Sequence, residues 1–147
     1  MNEFMKAAIE EARNGIRNGE GGPFGSVIVK NGEIVGRGHN QVLKQNDPTS
    51  HGEIQAIRDA CRNLNTFDLS GCELYTTAAP CPMCRGAIQW SNINKVYYGC
   101  NVTDTAGIGF RDKEFYDHPA DAREEVDREA CLELFNEYRA IDGKRMY

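Results

Sequence analysis

Two separated motifs, His51-Gly52-Glu53 and Pro80-Cys81-Pro82-Met83-Cys84, constrain the fold of this chain more than any other feature. Residues three apart lie on one face of a helix, so in a helix that begins at Cys81 both cysteine sulfurs can bind one metal ion. The free backbone N–H groups at the start of that helix also favour thiolate over thiol. With His51 as a third ligand, a tetrahedral zinc keeps one open position, as catalytic zinc sites do. The fold must therefore bring these two segments together.

Glu53 then stands beside the open position of the metal. It follows His51 by two residues, and residues two apart in a helix do not face each other. Both side chains can reach one ion only if His51 occupies the helix cap, outside the helical geometry. The pattern H-x-E followed by P-C-x-x-C is typical of zinc-dependent nucleobase deaminases. The chain matches this pattern at every required position.

The CxxC pair alone has two other interpretations. A structural zinc site normally needs a second Cys or His pair at comparable spacing, and the sequence contains none. A thioredoxin-like redox motif leaves His51 and Glu53 without a role. We therefore predict one Zn²⁺ per subunit, with His51, Cys81 and Cys84 as its ligands and Glu53 as the catalytic carboxylate.

The size and charge of the chain narrow the class of partner. Its 147 residues suit one domain, residues 1–147. The formal net charge is −5 and the sequence has no basic block, so we expect no nucleic-acid partner, because nucleic acids attract basic surfaces. No apolar run is long enough to cross a membrane, and the first residues lack the layout of a signal peptide. These features predict a cytoplasmic protein that acts on a small, uncharged or weakly charged substrate.

Helix and strand patterns alternate through the first 100 residues. Apolar residues at helical spacing predict helices over 3–18, 51–63 and 81–91. Short runs rich in β-branched and aromatic residues predict strands over 26–30, 33–39, 72–77 and 95–100. Asn31-Gly32 joins the first two strands as a type I′ hairpin. This order predicts the α/β class, as a sandwich in which helices cover a central sheet.

The last third of the chain carries weaker signals. Residues 101–118 are polar and contain glycine, which predicts a long loop, and such loops are often functional in a compact domain. From Ala120 onward, the apolar spacing predicts a further helix. The cysteines outside the CxxC pair fall within apolar patterns, and we expect them to pack as reduced core residues. They are Cys61, Cys72, Cys100 and Cys131.

Together these motifs resemble the cytidine deaminase-like superfamily, and within it the bacterial guanine deaminases. The resemblance covers nearly the whole chain and includes Gly21-Gly22-Pro23-Phe24-Gly25, Asn46-Asp47-Pro48-Thr49 and residues 80–88. The middle of this pattern is shared with tRNA-adenosine and cytosine deaminases, so it indicates the superfamily and not the substrate. The narrower signals are Gly109-Phe110-Arg111-Asp112 and the terminal aromatic residue Tyr147.

The resemblance implies a three-layer α/β/α sandwich around a central mixed sheet of about five strands. It also implies the following activity and roles. Guanine is hydrolysed to xanthine and ammonia, a step of purine catabolism. Glu53 shuttles protons, and His51, Cys81 and Cys84 bind zinc. The residues that the resemblance places around the substrate are Phe24 and Trp90 as apolar walls, Asn40, Asp112 and Tyr147 as hydrogen-bonding groups, and Gly52 through its backbone N–H. The resemblance also implies a homodimer, in which the C-terminal segment 119–147 can swap onto the partner subunit.

Two positions depart from the family pattern, and several alternatives stay open. Ala79 stands where the family has a glutamate, and Gly52 stands where it has an alanine. The first change keeps other deaminase substrates open, namely guanosine, cytosine, tRNA adenosine or a related amino-heterocycle. A non-catalytic, zinc-stabilised binding module is a further alternative, although such a module has no use for Glu53. Asp112, between Arg111 and Lys113, also has a plain interpretation as a surface charge.

Overall fold

The computed structural model of the protein describes residues 1–118 and 122–147. The strands of this described part are β1 (Gly25–Lys30), β2 (Glu33–His39), β3 (Cys72–Ala78) and β4 (Lys95–Cys100). Its helices are α1 (Glu3–Arg17), α2 (Val42–Gln45), α3 (Gly52–Leu64), α4 (Pro82–Trp90), α5 (Val102–Gly107), α6 (Asp112–Asp117) and α7 (Arg128–Arg139). Every element predicted in the first 100 residues is present within a few residues of its expected bounds. No helix of the described part has both the length and the apolar character needed to cross a membrane.

The strands form one mixed sheet in the order β2-β1-β3-β4. Strand β1 runs antiparallel to both β2 and β3, whereas β3 and β4 are parallel. Parallel neighbours need a crossover connection, and α4 provides it between β3 and β4. The mixed character was predicted, but the sheet has four strands in the described residues where about five were expected. Beyond Cys100 the described chain is helical or irregular, so it adds no further strand.

The β1–β2 hairpin turns at Asn31-Gly32, as the sequence predicts. Both residues have positive φ, 51° and 80°, which is the type I′ conformation that matches the twist of the flanking strands. The hairpin returns the chain so that the backbone N–H of Asn40 donates a hydrogen bond of 2.8 Å to the carbonyl of Phe24. Two residues expected to contact the substrate are thereby brought side by side.

Helices cover both faces of the sheet, which confirms the three-layer sandwich. On one face, α1 packs against β1, β2 and β3, and the ring centre of Phe4 lies 5.2 Å from that of Tyr75. On the other face, α3 approaches β2 so closely that a Cβ atom on Gly36 would lie 2.6 Å from the carbonyl oxygen of Ala56. The apolar core lies between this second face and helices α3 and α4. Its buried members are Ile28, Ala56, Ala60, Leu69, Cys72, Leu74 and Ile88.

The segment after β4 differs from the prediction. Residues 101–118 form two short helices, α5 and α6, in place of a long loop. Asn101 caps α5 and exchanges side-chain-to-backbone hydrogen bonds with Asp104, forming a capping box. Helix α7 begins at Arg128, and the predicted helix start at Ala120 lies outside the described residues. Residues 101–118 therefore contain helices although their polar composition predicts a loop.

The cysteines outside the CxxC pair divide into two groups. Cys72 is buried and Cys61 packs half-buried against the core, as predicted. Cys100 and Cys131 are exposed, so the prediction of core packing was wrong for both. Cys100 ends the edge strand β4, and Cys131 lies on α7, a helix without a buried residue.

Candidate active site and metal centre

The side chains of His51, Cys81 and Cys84 meet beyond the carboxyl end of β3, where α3 and α4 begin. His51 is the N-cap of α3, and its φ and ψ of −74° and 158° place it outside the helix, as the spacing to Glu53 requires. Cys81 is the N-cap of α4, with φ −68° and ψ 169°, and Cys84 lies in the first turn of that helix. Two helix starts therefore position all three side chains.

The three donor atoms fit a zinc ion. The Nδ1 atom of His51 lies 3.6 Å from the Sγ atom of Cys81 and 3.6 Å from that of Cys84. All three atoms lie within 4.8 Å of one another. A tetrahedral site with Zn–N and Zn–S bonds of about 2.1 and 2.3 Å separates nitrogen from sulfur by about 3.6 Å. The spacing in the structure is the spacing that a shared zinc ion needs.

The charges of the same groups also favour a cation. Hydrogen bonding from Cys84 lowers the pKa of Cys81 to about 4. The same contact, together with burial, raises the pKa of Cys84, because a second thiolate beside the first is unfavourable. The hydrogen bond to Cys81 is also the main cause of a raised pKa at His51. A divalent cation stabilises two thiolates and a neutral imidazole together, so the donor set fits zinc chemically as well as geometrically.

Glu53 lies in the first turn of α3 and is only 5% exposed. Its Oε1 atom lies 3.4 Å from the hydroxyl oxygens of both Ser26 and Thr76, and Ser26 Oγ lies 2.9 Å from Thr76 Oγ1. The two hydroxyl protons can make two of these three hydrogen bonds at a time. Burial raises the pKa of Glu53. The neighbouring strands β1 and β3 thus flank the nearly buried carboxylate next to the metal-binding group.

A cavity of about 490 Å³ opens in front of Glu53 and His51. Its size is typical of small-molecule sites. Asn40 and Asp112 contribute polar side chains to the walls, and Ala78 and Ala79 form the wall at the end of β3. The larger apolar residues of the lining are Phe24, Val42, Leu43, Pro48, Phe110 and Phe115. The cavity therefore combines an apolar lining with a few polar groups, as expected for binding a flat heterocycle.

Asn40 and Phe24 both line this cavity. Asn40 is 6% exposed, and its Oδ1 atom accepts a hydrogen bond of 3.1 Å from the backbone N–H of Val42. This leaves the Nδ2 group of Asn40 available to donate to a ligand. The ring of Phe24 packs edge-on against Phe110, with ring centres 4.9 Å apart. An amide donor and an aromatic surface thus face one space.

Asp112, the first residue of α6, also lines the cavity. Burial raises its pKa, and the negative charge of Cys81 adds to this effect. The neighbouring Arg111 also lines the cavity, with its guanidinium 5.3 Å from the ring centre of Phe115. Lys113, in contrast, forms an ion pair of 2.6 Å with Asp117 within the helix. The location of Asp112 is therefore that of a cavity residue and not of a plain surface charge.

Three residues predicted around the substrate do not line this cavity. Trp90 and Tyr147 are 70% and 83% exposed, and their ring centres lie 6.2 Å apart at a separate surface site. Trp90 follows Cys81 by about two and a half turns of α4 and so faces away from the ligands of its own chain, and its role as an apolar wall of the substrate site stays a prediction. Tyr147 does not reach the cavity of its own chain. Gly52 is buried, and a Cβ atom there would lie 3.0 Å from the carbonyl oxygen of Phe24.

Several site residues were not predicted from the sequence. Ser26 and Thr76 are partners in the β1–β3 ladder, and that register cannot be deduced from one sequence. Their signal is a hydroxyl residue within a buried strand, which requires a polar partner. Phe110 and Arg111 lie in the motif that carries Asp112, but neither was given a role. For them, the proximity of α6 to the cavity is information that only the fold supplies.

Comparison with known proteins agrees with this geometry. Residues 1–100 match the family described as the cytidine and deoxycytidylate deaminase zinc-binding region. Guanine deaminase from Bacillus subtilis (strain 168) is 43% identical over 98% of this chain and 97% of that protein. Its X-ray structure superposes with a TM-score of 0.93 and 40% identity, covering 100% of this chain and 99% of the other.

Two further relatives extend the comparison to other ligands. The tRNA-specific adenosine deaminase of Aquifex aeolicus (strain VF5) is 50% identical over 71% of this chain and 69% of that protein. A solved mutant protein in complex with 8-azaguanine has a TM-score of 0.71 and 30% identity, covering 93% of this chain and 83% of the other. The family match, the paired cysteines and histidine, and the buried glutamate lead to one conclusion. The chain belongs to the zinc-dependent deaminases that share the cytidine and deoxycytidylate deaminase zinc-binding region.

Proposed function

We propose that the protein hydrolyses guanine to xanthine and ammonia. The observation that carries this proposal is the placement of Glu53 beside the group of His51, Cys81 and Cys84 at the base of a cavity with polar walls. The likeness to a guanine deaminase along nearly the whole chain supports guanine as the substrate. The residues 1–147 then act as one deaminase domain, in which the three ligands hold one zinc ion.

Zinc, when bound, acts as a Lewis acid that lowers the pKa of a water molecule towards about 7. The rest of the chemistry falls to Glu53. Its carboxylate accepts one proton from the attacking water and gives it to the purine ring nitrogen. It then accepts the second proton, from the hydroxyl group added at the ring carbon, and gives that one to the departing amine. Water adds at the ring carbon that carries the exocyclic amine, and that carbon–nitrogen bond breaks to release ammonia. Ser26 and Thr76 keep the carboxylate in place throughout, through their hydrogen bonds to Oε1.

The cavity walls provide the contacts that orient the base. Asp112 accepts hydrogen bonds from purine N–H groups, and the Nδ2 group of Asn40 donates one to a purine acceptor. The rings of Phe24 and Phe110 provide the apolar surface against which the base lies. The backbone N–H of Gly52 stays a predicted contact for a substrate carbonyl or ring nitrogen.

We also propose a homodimer in which the C-terminal segment 119–147 packs on the partner subunit and brings Tyr147 to the partner's cavity. Helix α7 supports this, because it has no buried residue in the single chain. It exposes Leu134, Phe135 and Tyr138, and such an apolar surface is unfavourable in water unless another chain covers it. A cytoplasmic location and a role in purine catabolism complete the proposal.

A second candidate function is deamination of adenosine in tRNA. The observation in its favour is the 50% identity to a tRNA-specific adenosine deaminase over 71% of this chain. The charge argues against it, since the net charge is −5 and phosphate backbones bind basic surfaces.

Ammonia release across a panel of substrates separates these functions. The zinc-loaded protein is assayed with guanine, guanosine, cytosine, adenine and an anticodon stem-loop RNA, and chelator-treated protein serves as the control. We expect the highest kcat/KM with guanine. No release from guanine would reject the first proposal, and release from the RNA alone would support the second. Binding of guanine without turnover of any substrate would indicate a zinc-stabilised binding module.

A further inference from the structure

Tyr116, on α6, lies outside the substrate cavity and has no part in the proposed chemistry. Its hydroxyl group donates a hydrogen bond to the backbone carbonyl of Pro80. The guanidinium of Arg85 stands 5.8 Å from the centre of its ring. Pro80 directly precedes the ligand Cys81, and Arg85 directly follows the ligand Cys84. Tyr116 therefore attaches α6 to the segment that carries two of the three metal ligands.

Helix α6 depends on such attachments. It has six residues and none of them is buried, and helices of this length are not stable in water on their own. On its N-terminal side, Phe110 packs against Phe24 in the cavity wall. On its C-terminal side, the contact of Tyr116 with Pro80 holds it. Asp112 lies between these two anchors, one helical turn before Tyr116 and therefore on the same side of the helix.

Asp112 and Tyr116 lie in the walls of two different cavities. Asp112 lines the cavity of about 490 Å³ in front of Glu53. Tyr116 lines a separate cavity of about 360 Å³, in which Pro80 and Arg85 also take part. A ligand in the first cavity is thus contacted by Asp112 and not by Tyr116. Any effect of Tyr116 on binding must pass through the placement of α6.

We propose that Tyr116 is a positioning residue for substrate recognition, which holds α6 against Pro80 so that the Asp112 carboxylate stays in the cavity wall. This inference rests on the proposed function of the cavity. Without the Tyr116 hydroxyl, α6 samples more positions and Asp112 is less often in place, so the substrate binds more weakly. Glu53 and the metal ligands are held by α3, α4 and the sheet, so the chemical step proceeds as before.

The variant Tyr116→Phe tests this role, and Tyr98→Phe is its matched control. Tyr98 is exposed on β4 and lines the same outer cavity, but its hydroxyl makes no hydrogen bond within the described residues. Loss of one such hydrogen bond should raise KM for guanine by about 5- to 10-fold. We expect kcat within about twofold of the wild type and an unchanged zinc content. An unchanged KM, or a fall in kcat at unchanged KM, would overturn the proposal.

Amide hydrogen exchange provides a readout that needs no activity. In Tyr116→Phe the amides of α6 should exchange about fivefold faster than in the wild type and in Tyr98→Phe, because the helix opens more often. Equal exchange rates would overturn the attachment, and faster exchange with unchanged KM would restrict Tyr116 to a structural role. If the wild-type protein released no ammonia from guanine, the proposed function would fail. The exchange rates would then still decide whether Tyr116 holds α6.

Discussion

The two parts of the chain that meet at the cavity are built in opposite ways. The part that holds the metal ligands, residues 1–100, is a sheet covered by helices on both faces, and Cys81, Cys84 and Glu53 are buried within it. The part after Cys100 consists, where described, of two short helices and α7, and Thr105 is its one buried residue. The boundary coincides with the end of the family match at residue 100.

This contrast distinguishes the structural requirements of the reaction from those of substrate selection. A shared metal ion requires three donor atoms within a few ångströms, and only a packed core can hold them so. A substrate wall can be supplied by a lightly attached segment, as α6 supplies Asp112. Changes in the first part should therefore affect turnover of every substrate. Changes in the second should affect which base binds and how tightly.

The largest effect is expected from Glu53→Gln, which tests the first half of the contrast. The amide keeps the size of the carboxylate but cannot take up the proton of water. We expect kcat to fall by about 10³-fold or more on every deaminated substrate, while each chain still binds one zinc ion. Steady-state kinetics and metal analysis measure both quantities.

Glu33→Gln, an exposed change at the start of β2, is the control for Glu53→Gln and should leave kcat unchanged. Near-normal turnover in Glu53→Gln would remove this residue from the mechanism. A variant that lost its zinc as well would show that the Glu53 carboxylate also helps to hold the metal. Its role as proton carrier could then not be separated from the role of the metal ligands.

The next largest effect concerns α7. Phe135→Glu places a charge on a side chain that is exposed in the single chain, so a monomer should tolerate it. If α7 packs on a partner subunit, the buried charge should weaken dimer association by about 100-fold. Analytical ultracentrifugation of the wild type, Phe135→Glu and the control Glu137→Gln measures this. A wild-type protein that sediments as a monomer, or a variant dimer of unchanged affinity, would contradict the swapped arrangement.

The same contrast decides how much could be predicted from the sequence. Around His51 and Glu53 the chemistry is so demanding that spacing alone predicts the conformation, with His51 at the helix cap. Strand pairing in the hairpin follows from Asn31-Gly32 for a similar reason, since few turns fit. In this part, local sequence and tertiary packing agree, and the predicted elements are confirmed.

Residues beyond Cys100 supply none of the metal ligands, so their spacing is less restricted, and the predictions made for them were less accurate. The capping box of Asn101 and Asp104 begins a helix inside a segment that was expected to be a loop. Cys131 follows an apolar pattern, yet in the single chain α7 buries no residue. Which segment covers the cavity depends on long-range packing, and apolar spacing does not contain that information.

Asp112→Asn tests the second half of the contrast, with a smaller expected effect. The change keeps the size of the side chain but replaces one charged acceptor oxygen by a donor. We expect KM for guanine to rise by about 30-fold with kcat little changed, because a charged hydrogen bond to the purine is lost. Asp117→Asn, which alters an exposed ion pair on the same helix, is the control. A fall in kcat alone would place Asp112 in the chemistry and weaken the division between the two parts.

A cluster of charged residues at the edge of the metal-binding part allows the most sensitive test, because it stabilises the cavity wall and not the metal site. His39 Nδ1 lies 3.0 Å from Glu11, and His39 Nε2 hydrogen-bonds to Glu20, which also pairs with Lys44 at 3.4 Å. Glu20 precedes the wall residue Gly21, and His39 precedes the wall residue Asn40. Burial alone would lower the pKa of His39, but hydrogen bonds to the two carboxylates outweigh it, and the pKa is raised above its ordinary value of 6.5. The hydrogen bond from His39 lowers the pKa of Glu20 below 4.5.

The smallest predicted effect follows from these pKa directions. A raised pKa in the folded state means that His39 stabilises the fold fully below pH 6.5, and that this contribution is lost as the pH rises through the folded-state pKa. The depressed pKa of Glu20 keeps its contribution intact above pH 4.5.

Between pH 6 and 9 the free energy of unfolding should therefore fall by about 1 kcal/mol more in the wild type than in His39→Gln, as expected for a partly exposed ion pair. Urea denaturation at both pH values measures the difference, and parallel losses in the two proteins would show that the cluster carries no net charge interaction. Gly21 and Asn40 belong to the cavity wall. If KM also rose with pH in the wild type but not in His39→Gln, charge interactions would hold part of the substrate wall in place, even within the packed part of the chain.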